Sequence, residues 1–533
     1  MARIALLATA LGVVFFAVVG SAQATTYFVS ETGNDTNPCT QAQPCATVQN
    51  AIDEHRNDPQ PDDVIDVGPG LFVGNFAADD PDDDGLTIRG TLDGEARQTT
   101  LRGVADGADD NGVAFPLGVV AGCLPSEVRL RNANVDTDGA SPGVMALELD
   151  GGSDLINVHA SNQPGSTADE VVLACERGSV IERSEIVATD DQPAITVVDA
   201  IRLIDSTVTA EGVNFPAVNQ FSGADPDVEL RIRRSRVSTA ENSNAPAVSS
   251  GSRLEVDSSL ITGGAAGVYT ADGVDWLINN STIDAGQAGA SDPVNTPSLH
   301  SEPFPTWNAD VDNSILVDGI VANDEFGGDG TVSCDHSDLP SVDLDPGLVD
   351  DCPIGGSSTN TSNPPGDLFV GGAPYDWMLS ASSPAIDTAE PGPPPAGLAI
   401  RDLAGNPRRA AGTAATCPDG IRDKGAYEFV GPPCVIQPPE ILNGDNPTPG
   451  TQLSSTRGTW TDKPTGYARL WLRCDAEGED CVEITPPRTR KGYTVRGSDL
   501  DHTLRLQVIA TNAAGDSEPA VSDPSGVVSE PPG

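Results

Sequence analysis

The middle of the chain repeats one arrangement of apolar and polar positions. Two apolar residues flank a variable one, two more variable residues follow, and then come a small residue, a variable residue and a third apolar residue. Eight copies lie between Val128 and Leu316, with the small position at residues 133, 158, 184, 206, 235, 259, 281 and 314. Copies that recur every 22 to 33 residues predict a repeat protein in which each unit packs on its neighbours.

Each copy predicts two short strands joined by a corner. One copy consists of Leu254, Val256, Ser259 and Ile261. The alternating apolar residues predict a strand that faces the core, and the two variable residues predict a sharp corner before the next strand. Coils stacked about 4.8 Å apart would turn the eight copies into a rod of roughly 40 Å.

The residues directly before the small positions form a column at the corner of the predicted rod. This corner column contains Asn132, Asn157, Arg183, Asp205, Arg234, Ser258, Asn280 and Asn313. Asparagine tolerates the left-handed backbone of a tight corner, and stacked amides can bond each other. The column therefore predicts an asparagine ladder that is interrupted in the middle. The interrupting residues Arg183, Asp205 and Arg234 are our candidate substrate-binding residues, and an ordinary ion-pair ladder is the alternative.

The N-terminus predicts export. Arg3, an apolar run from Ile4 to Val19 and the small residues Ala22 and Ala24 are typical of a secretory signal peptide. The run is shorter than the ~20 residues of a membrane-spanning helix. We therefore expect cleavage after Ala24, a secreted or cell-surface location and no transmembrane segment afterwards.

Ten cysteines in an exported chain predict disulfides. Four pairs are close in sequence, namely Cys39 with Cys45, Cys334 with Cys352, Cys417 with Cys434, and Cys474 with Cys481. Cys123 and Cys175 share a phase of the repeat but have a coil between them. At about 10 Å apart they would exceed the ~7 Å that a disulfide allows between Cα atoms. Either the intervening coil bulges out or both thiols are free.

The residues that follow the signal resemble a known fold family. A strand at Tyr27–Ser30, an amphipathic helix around Thr47–Ile52 and a strand at Asp63–Val67 predict a cap that covers the open edge of the first coil. Together with Gly33-Asn34-Asp35 and Gly68-Pro69-Gly70, they resemble the opening of secreted right-handed parallel β-helix proteins of the pectate-lyase-like superfamily. The resemblance implies an all-β fold. In that superfamily, lyases and hydrolases place Asp and Arg on the outer face of the helix.

The second half of the chain predicts three further segments. Ser383–Asp387, Arg401–Arg408 and Asp423–Glu428 resemble the closing segment that follows β-helices in bacterial surface proteins with varied anchors, and we expect it to cap the rod and to be held by ion pairs. Short alternating strands around Trp471 predict a small β-sandwich. The phrases around Trp471 and Ala510 resemble immunoglobulin-like or fibronectin-III-like modules.

The expected domains are a signal peptide at 1–24, a capped β-helix at 25–325, an irregular closing segment at 326–430, a proline-rich linker at 431–440 and the sandwich at 441–533.

Charge limits the partners. The chain has 79 acidic and 29 basic residues and a net charge of −50, so nucleic acids and anionic membranes are poor partners. Acidity of this kind also favours a soluble monomer.

One acidic stretch is a candidate metal site. Asp80, Asp82, Asp84 and Gly85 match the first half of a calcium-binding loop, in which oxygen ligands alternate. The twelfth position is Thr91, where a bidentate Glu is required. A weak calcium site and a solvated acidic loop are both kept as hypotheses, and we expect no other cofactor.

Three functions stay open. The five histidines form no close pair, and phrases typical of serine hydrolases, phosphate loops and polygalacturonases do not occur. The leading hypothesis is therefore a noncatalytic exported β-helix protein that binds or displays at a surface, with a polysaccharide or cell-surface glycan as its partner. The main rival is a calcium-dependent polysaccharide lyase or a related glycan-degrading hydrolase, since fold alone does not imply activity. A structural spacer that presents the C-terminal module is the third.

Overall fold

The computed structural model describes most of the chain. The described residues are 24–78, 80–104, 127–137, 145–149, 152–162, 170–174, 178–221, 229–240, 242–270, 275–285, 294–296, 307–322, 330–344, 348–356, 358–371, 376–408 and 422–531. Apart from Ala24, the predicted signal peptide lies outside these residues, as do Cys123, Cys175 and Cys417. No helix in the described ranges is long and apolar enough to cross a membrane.

Three parallel sheets wrap into a β-helix, which confirms the predicted all-β fold. Sheet 1 has 13 strands: Thr26–Val29, Val64–Val67, Thr87–Arg89, Arg129–Arg131, Asp154–Ile156, Ser179–Glu182, Ile201–Ile204, Glu229–Arg233, Arg253–Asp257, Trp276–Asn279, Trp307–Asp312, Gly330–Asp335 and Val349–Asp351. Sheet 2 has 10: Gly70–Val73, Thr99–Gly103, Ala133–Thr137, His159–Ser161, Glu185–Ala188, Thr207–Ala210, Arg236–Thr239, Leu260–Thr262, Thr282–Asp284 and Ile315–Leu316. Sheet 3 has nine: Leu147–Leu149, Val172–Ala174, Ile195–Val197, Val218–Gln220, Val248–Ser250, Val268–Thr270, Val294–Thr296, Ile320–Ala322 and Val342–Leu344.

The apolar positions of the repeat stack inside the rod. Leu203 lies beside Ile232 in the next strand of sheet 1, and Ile232 lies beside Val256. All three side chains are buried. Because each coil places its apolar residues on those of its neighbours, one continuous core runs along the rod.

The predicted corner is present in every copy. All eight residues of the corner column have a left-handed backbone, with φ between 43° and 57°. One rung of the predicted asparagine ladder forms, because Asn157 Nδ2 donates to Asn132 Oδ1 at 2.9 Å. In the later coils, Asn280 and Asn313 instead bind a segment from further along the chain.

A serine ladder, which the sequence analysis missed, runs beside the corner column. The backbone N–H of Ser235 donates to the Ser259 hydroxyl at 3.2 Å, and that of Ser259 donates to the Ser281 hydroxyl at 3.1 Å. The same bond recurs along the column, with Ser184, Ser206, Ser314 and Ser337 as further acceptors. The repeated serine at the small position was the available signal. A buried backbone donor needs an acceptor at each corner, and serine provides it without bulk.

The β-helix continues past the expected end at residue 325. Strands at Gly330–Asp335 and Val349–Asp351 extend sheet 1, and Val342–Leu344 extends sheet 3. Val332, Cys334, Ser337 and Leu339 form a ninth copy of the phrase. Its corner residue, His336, has φ 49°.

The N-terminal cap is formed by helix Val48–His55, with Thr47 as its N-cap. Val48, Ala51 and Ile52 bury one face of the helix in the core of the rod. The predicted disulfide between Cys39 and Cys45 is present, as are those between Cys334 and Cys352 and between Cys474 and Cys481.

The described part of the closing segment from residue 385 onwards lies along the side of the rod rather than over its end. Residues 385–408 and 422–429, here called the strap, lie along the corner of successive coils. Arg408 donates to Asn280 O at 2.9 Å, and Lys424 Nζ donates to Ser337 O at 3.2 Å. The strap has little regular structure, and its polar groups bond both to the rod and to one another. A short helix at Pro365–Leu368 precedes it.

The C-terminal part is a separate antiparallel β region. Its strands are Val435–Gln437, Ile441–Leu442, Gln452–Ser455, Thr459–Trp460, Gly466–Cys474, Val482–Glu483, Tyr493–Thr494, Thr503–Asn512, Gly515–Asp516 and Ala520–Val521. Trp471 is buried as predicted and stacks on Tyr493 at 5.5 Å. Other short elements are the hairpin Leu92–Asp93 with Ala96–Arg97 and the 3-10 turns Pro81–Asp83 and Gly497–Asp499.

Candidate functional site

The structure brings two of the three candidate corner residues together. Arg234 forms a two-pronged ion pair with Asp205 on the preceding coil, with Nε 2.6 Å from Oδ1 and Nη2 2.5 Å from Oδ2. The hydrogen bonds that Arg234 donates to Asp205 raise the pKa of Arg234. Arg183 lies one coil earlier, and its Nε is 3.3 Å from Oε1 of Glu182, the preceding residue in the chain. The side chain of Arg183 is 60% exposed. The pairing of Arg234 with Asp205 matches the ion-pair ladder, while Arg183 remains accessible.

Further arginines lie next to this corner on the outer face of sheet 1. Arg202 pairs in register with Arg231 on the next strand, and Arg233 lies two residues further along that strand. Arg253 lies on the strand after that. The corner column did not indicate these four, because they lie on the strands beside it. The alternation within each strand was the signal, since the residues between the core positions must face outward.

Carboxylates neutralise most of this arginine cluster. Arg231 contacts Glu229 at 2.6 Å and Glu255 at 3.3 Å, and Arg233 contacts Asp257 at 3.3 Å. Burial raises the pKa of Glu255 and that of Asp257, although the arginines oppose the shift. This outer face is therefore an ordered ion-pair network.

Arg202 differs from the arginines around it. Its side chain is exposed. Among the described residues no carboxylate lies within ion-pair distance of it, although its charge acts on Asp154. An exposed guanidinium is a ready donor of paired hydrogen bonds to a carboxylate or sulfate. Together, Arg183 and Arg202 give this part of an acidic rod two accessible cations on adjacent coils.

The strap borders the same face. The carbonyl of Gly397 accepts a hydrogen bond from Arg233, and the N–H of Ala399 donates to Asp257 at 2.5 Å. The arginine cluster therefore lies on an outer face that has the strap as one wall.

A second candidate site lies near the end of the rod. Asp312 and Asp335 pair in register on neighbouring strands of sheet 1. They line an open cavity of about 450 Å³. The other lining residues are Ser333, Cys334, Asp351, Pro353, Ser358, Thr359 and Asn360.

The pKa values of these two carboxyls shift in opposite directions. Burial raises the pKa of Asp312 to about 6, and the charges of Asp310 and Asp335 add to the shift. Burial also acts to raise the pKa of Asp335, but the Thr359 hydroxyl at 2.6 Å and the neighbouring His336 outweigh it, so the net shift is downward. Carboxyls whose pKa values are pushed apart are typical of acid and base roles. No candidate residue was chosen here from the sequence.

The structure places the candidate calcium residues around a turn of 3-10 helix. Asp80 is its N-cap and accepts the N–H of Asp82 at 3.0 Å, and Asp84 accepts the N–H of Glu127 at 3.2 Å. Arg56 neutralises the buried Asp83 between them, with Nη2 2.6 Å from Oδ2. Within the described ranges, no three His, Cys, Asp or Glu side chains are grouped so that they could hold a metal ion. The calcium site stays a prediction.

Comparison with known proteins finds fold likenesses among pectin methylesterases. No protein-family model matches the chain, and no curated protein matches it. The Aspergillus niger enzyme in its penultimately deglycosylated form has 13% identity over 53% of this chain and 93% of its own, with a TM-score of 0.35. The deglycosylated form has 14% identity, the same coverage and a TM-score of 0.36. The carrot enzyme has 13% identity over 53% of this chain and 90% of its own, with a TM-score of 0.33. These likenesses concern the fold, and nothing about activity follows from them.

Proposed function

We propose that this protein is an exported, noncatalytic β-helix protein that binds an acidic polysaccharide on the outer face of sheet 1 and the adjoining corner. The observation that carries the proposal is the arginine cluster on successive coils of a chain whose net charge is −50. Its members are Arg183, Arg202, Arg231, Arg233, Arg234 and Arg253. A rod that repeats every coil suits a ligand that is itself a repeating chain.

The charges within the cluster favour binding over catalysis. Arg234 and Asp205 form an ion pair with each other, so the corner offers no unpaired side chain of this pair to act as a general base. Arg183 and Arg202 are exposed cations that suit the carboxylates of uronates or the sulfates of a sulfated glycan. Contacts of this kind are sensitive to salt, because exposed charges are screened.

Export is part of the proposal. Three disulfides in the described residues, including Cys39–Cys45 and Cys334–Cys352, fit an oxidising compartment. We also propose that the C-terminal antiparallel region is an immunoglobulin-like or fibronectin-III-like module and that the protein is a monomer.

A glycan panel tests the proposed function. The purified protein is incubated with polygalacturonate, alginate, a sulfated glycan and a neutral glucan, each with and without calcium, and both binding and chain cleavage are measured. We expect salt-sensitive binding to the acidic glycans alone and no cleavage. Turnover of any acidic glycan would overturn the noncatalytic assignment, and failure to bind every glycan would favour the structural spacer.

A glycan hydrolase is the second candidate, and Asp312 with Asp335 favours it. Neighbouring strands lie about 4.8 Å apart, close to the ~5 Å separation of the two carboxyls in retaining glycosidases. The raised pKa of Asp312 suits a proton donor, and the lowered pKa of Asp335 suits a base or nucleophile. If the panel shows cleavage, Asp312→Asn and Asp335→Asn should each abolish it. Cleavage that survives both substitutions would rule this cavity out.

A further inference from the structure

The strap is held to the rod around two buried carboxylates, Asp423 and Glu428. Both side chains are only 2% exposed. Asp423 accepts the N–H of Asp387 at 2.7 Å and that of Phe429 at 2.5 Å. Glu428 Oε1 accepts Arg408 Nη1 at 2.9 Å and the N–H of Asp423 at 3.2 Å. The backbone and the carboxyls of this turn therefore hold each other in one conformation.

The cations of the strap do not balance these charges. Arg408 is paired with Glu428, but Arg422 turns to Glu390 at 3.3 Å. Lys424 donates to Ser337 O, Thr359 O and Thr361 Oγ1, away from the carboxyl pair.

Further acidic groups surround the pair. Asp402 accepts the N–H of Glu428 at 2.9 Å, and Asp387 lies against Asp423. Burial raises the pKa of Asp423 to about 7, with the charge of Glu428 as the next cause. Burial likewise raises the pKa of Glu428, although Arg408 opposes the shift. Acidic groups therefore outnumber the two arginines whose charges act on the pair, Arg408 in direct contact and Arg422 from further away.

We propose that the strap is a pH-dependent latch, in which one of the two buried carboxyls Asp423 and Glu428 carries a proton while residues 422–429 are docked and in which loss of that proton releases them from the corner of the rod. Two buried carboxyls that share a site cannot both ionise without a large penalty. The docked strap therefore binds more protons than the released strap. Docking is favoured at low pH and is lost as the pH rises through about 7.

Release breaks named contacts along the rod. The N–H of Gly425 donates to Asn313 O at 2.8 Å, and the N–H of Ala426 donates to Thr282 Oγ1 at 3.0 Å. These two amides are protected from solvent only while the strap is docked, so they report its position directly.

Hydrogen exchange of the full-length protein between pH 5.5 and 8.5 tests the latch. The matched variant is Glu428→Gln, because Gln keeps the oxygen that Arg408 and Asp423 contact. Its amide nitrogen would replace Oε2, which has no hydrogen-bond partner among the described residues. At each pH, the exchange rate of the Gly425 and Ala426 amides in wild type is divided by the rate in the variant. This ratio cancels the intrinsic increase of amide exchange with pH, which is the same in both proteins. Asp367→Asn, at an exposed carboxylate that precedes the strap in the chain, is the control.

The latch predicts that this ratio rises about tenfold per pH unit from pH 5.5 to about 7 and levels off above it, since the docked strap holds one proton more than the released strap only below the raised pKa of Asp423. Asp367→Asn should behave like wild type. A ratio that is constant with pH would overturn the proposal. If Glu428→Gln leaves the strap undocked at every pH, Asp423→Asn takes its place. The ratio of the wild-type exchange rate to that of Asp423→Asn must then show the same rise with pH. A ratio that does not change with pH would again refute the latch.

Discussion

Replacing Arg408 with Met should undock the strap. The guanidinium donates to Glu428 Oε1 at 2.9 Å, Ser258 Oγ at 3.1 Å, Asn280 O at 2.9 Å and Ala426 O at 3.2 Å. Met fills much of the same volume but supplies no donor. It leaves Glu428 as a buried carboxylate without its cation, which costs about 3–5 kcal/mol for a broken buried pair. We expect a loss of this size in the free energy that holds the strap to the rod.

Amide exchange of residues 422–429 under increasing urea measures this free energy locally. Arg401→Met is the matched control, because Arg401 is exposed and, among the described residues, its side chain donates only to Gly405 O, at 2.7 Å. Its effect should stay within about 0.5 kcal/mol. The loss in Arg408→Met should shrink at pH 5, because the unpaired Glu428, whose pKa burial already raises, then takes up a proton. A loss below about 1 kcal/mol at pH 6.5, where the strap is docked, would refute the view that this buried pair docks the strap.

Three further predictions concern the rod. Ser259→Ala removes the acceptor of the buried Ser235 N–H and should lower the free energy of unfolding by about 1–3 kcal/mol in urea denaturation; an unchanged midpoint would contradict the serine ladder. Asn157→Ala should cost about 1–2 kcal/mol, because Ala tolerates φ 56° poorly, while Asn157→Gly should cost less; equal losses would show that the backbone angle is unimportant. Asp312 has a pKa raised to about 6, so its contribution to stability is present below pH 4 and lost as pH rises through 6; Asp312→Asn should flatten the thermal stability profile between pH 4 and 7, and an unchanged slope would contradict the shift.

Periodic features of the fold could be predicted from sequence, because each is repeated. Eight copies of one phrase specify the strand, the corner and the left-handed residue before the small position, and all eight corners agree with the structure. The ninth copy was overlooked because Cys334 and Ser337 lie in a stretch rich in Gly, Ser and Asp. Its pattern was nonetheless readable.

The docking of the strap could not be predicted, because it depends on contacts between distant parts of the chain. Arg408 lies 128 residues from Asn280 in sequence, and no local pattern indicates that pairing. The candidate site was located only in part for a related reason. The sequence shows that Arg183, Asp205 and Arg234 share a column, but the contribution of Arg202 depends on which neighbours its side chain reaches.

The affinity of the protein for an oligouronate at two salt concentrations is the most direct test of the proposed function. The double variant Arg183→Ala, Arg202→Ala removes two of the exposed cations of the cluster, and Arg89→Ala removes an exposed arginine of the same sheet near the N-terminal cap. We expect the double variant to bind at least tenfold more weakly at low salt, with a shallower dependence on salt, while Arg89→Ala binds as wild type does. Equal affinity of all three proteins would contradict an acidic-glycan site on this face.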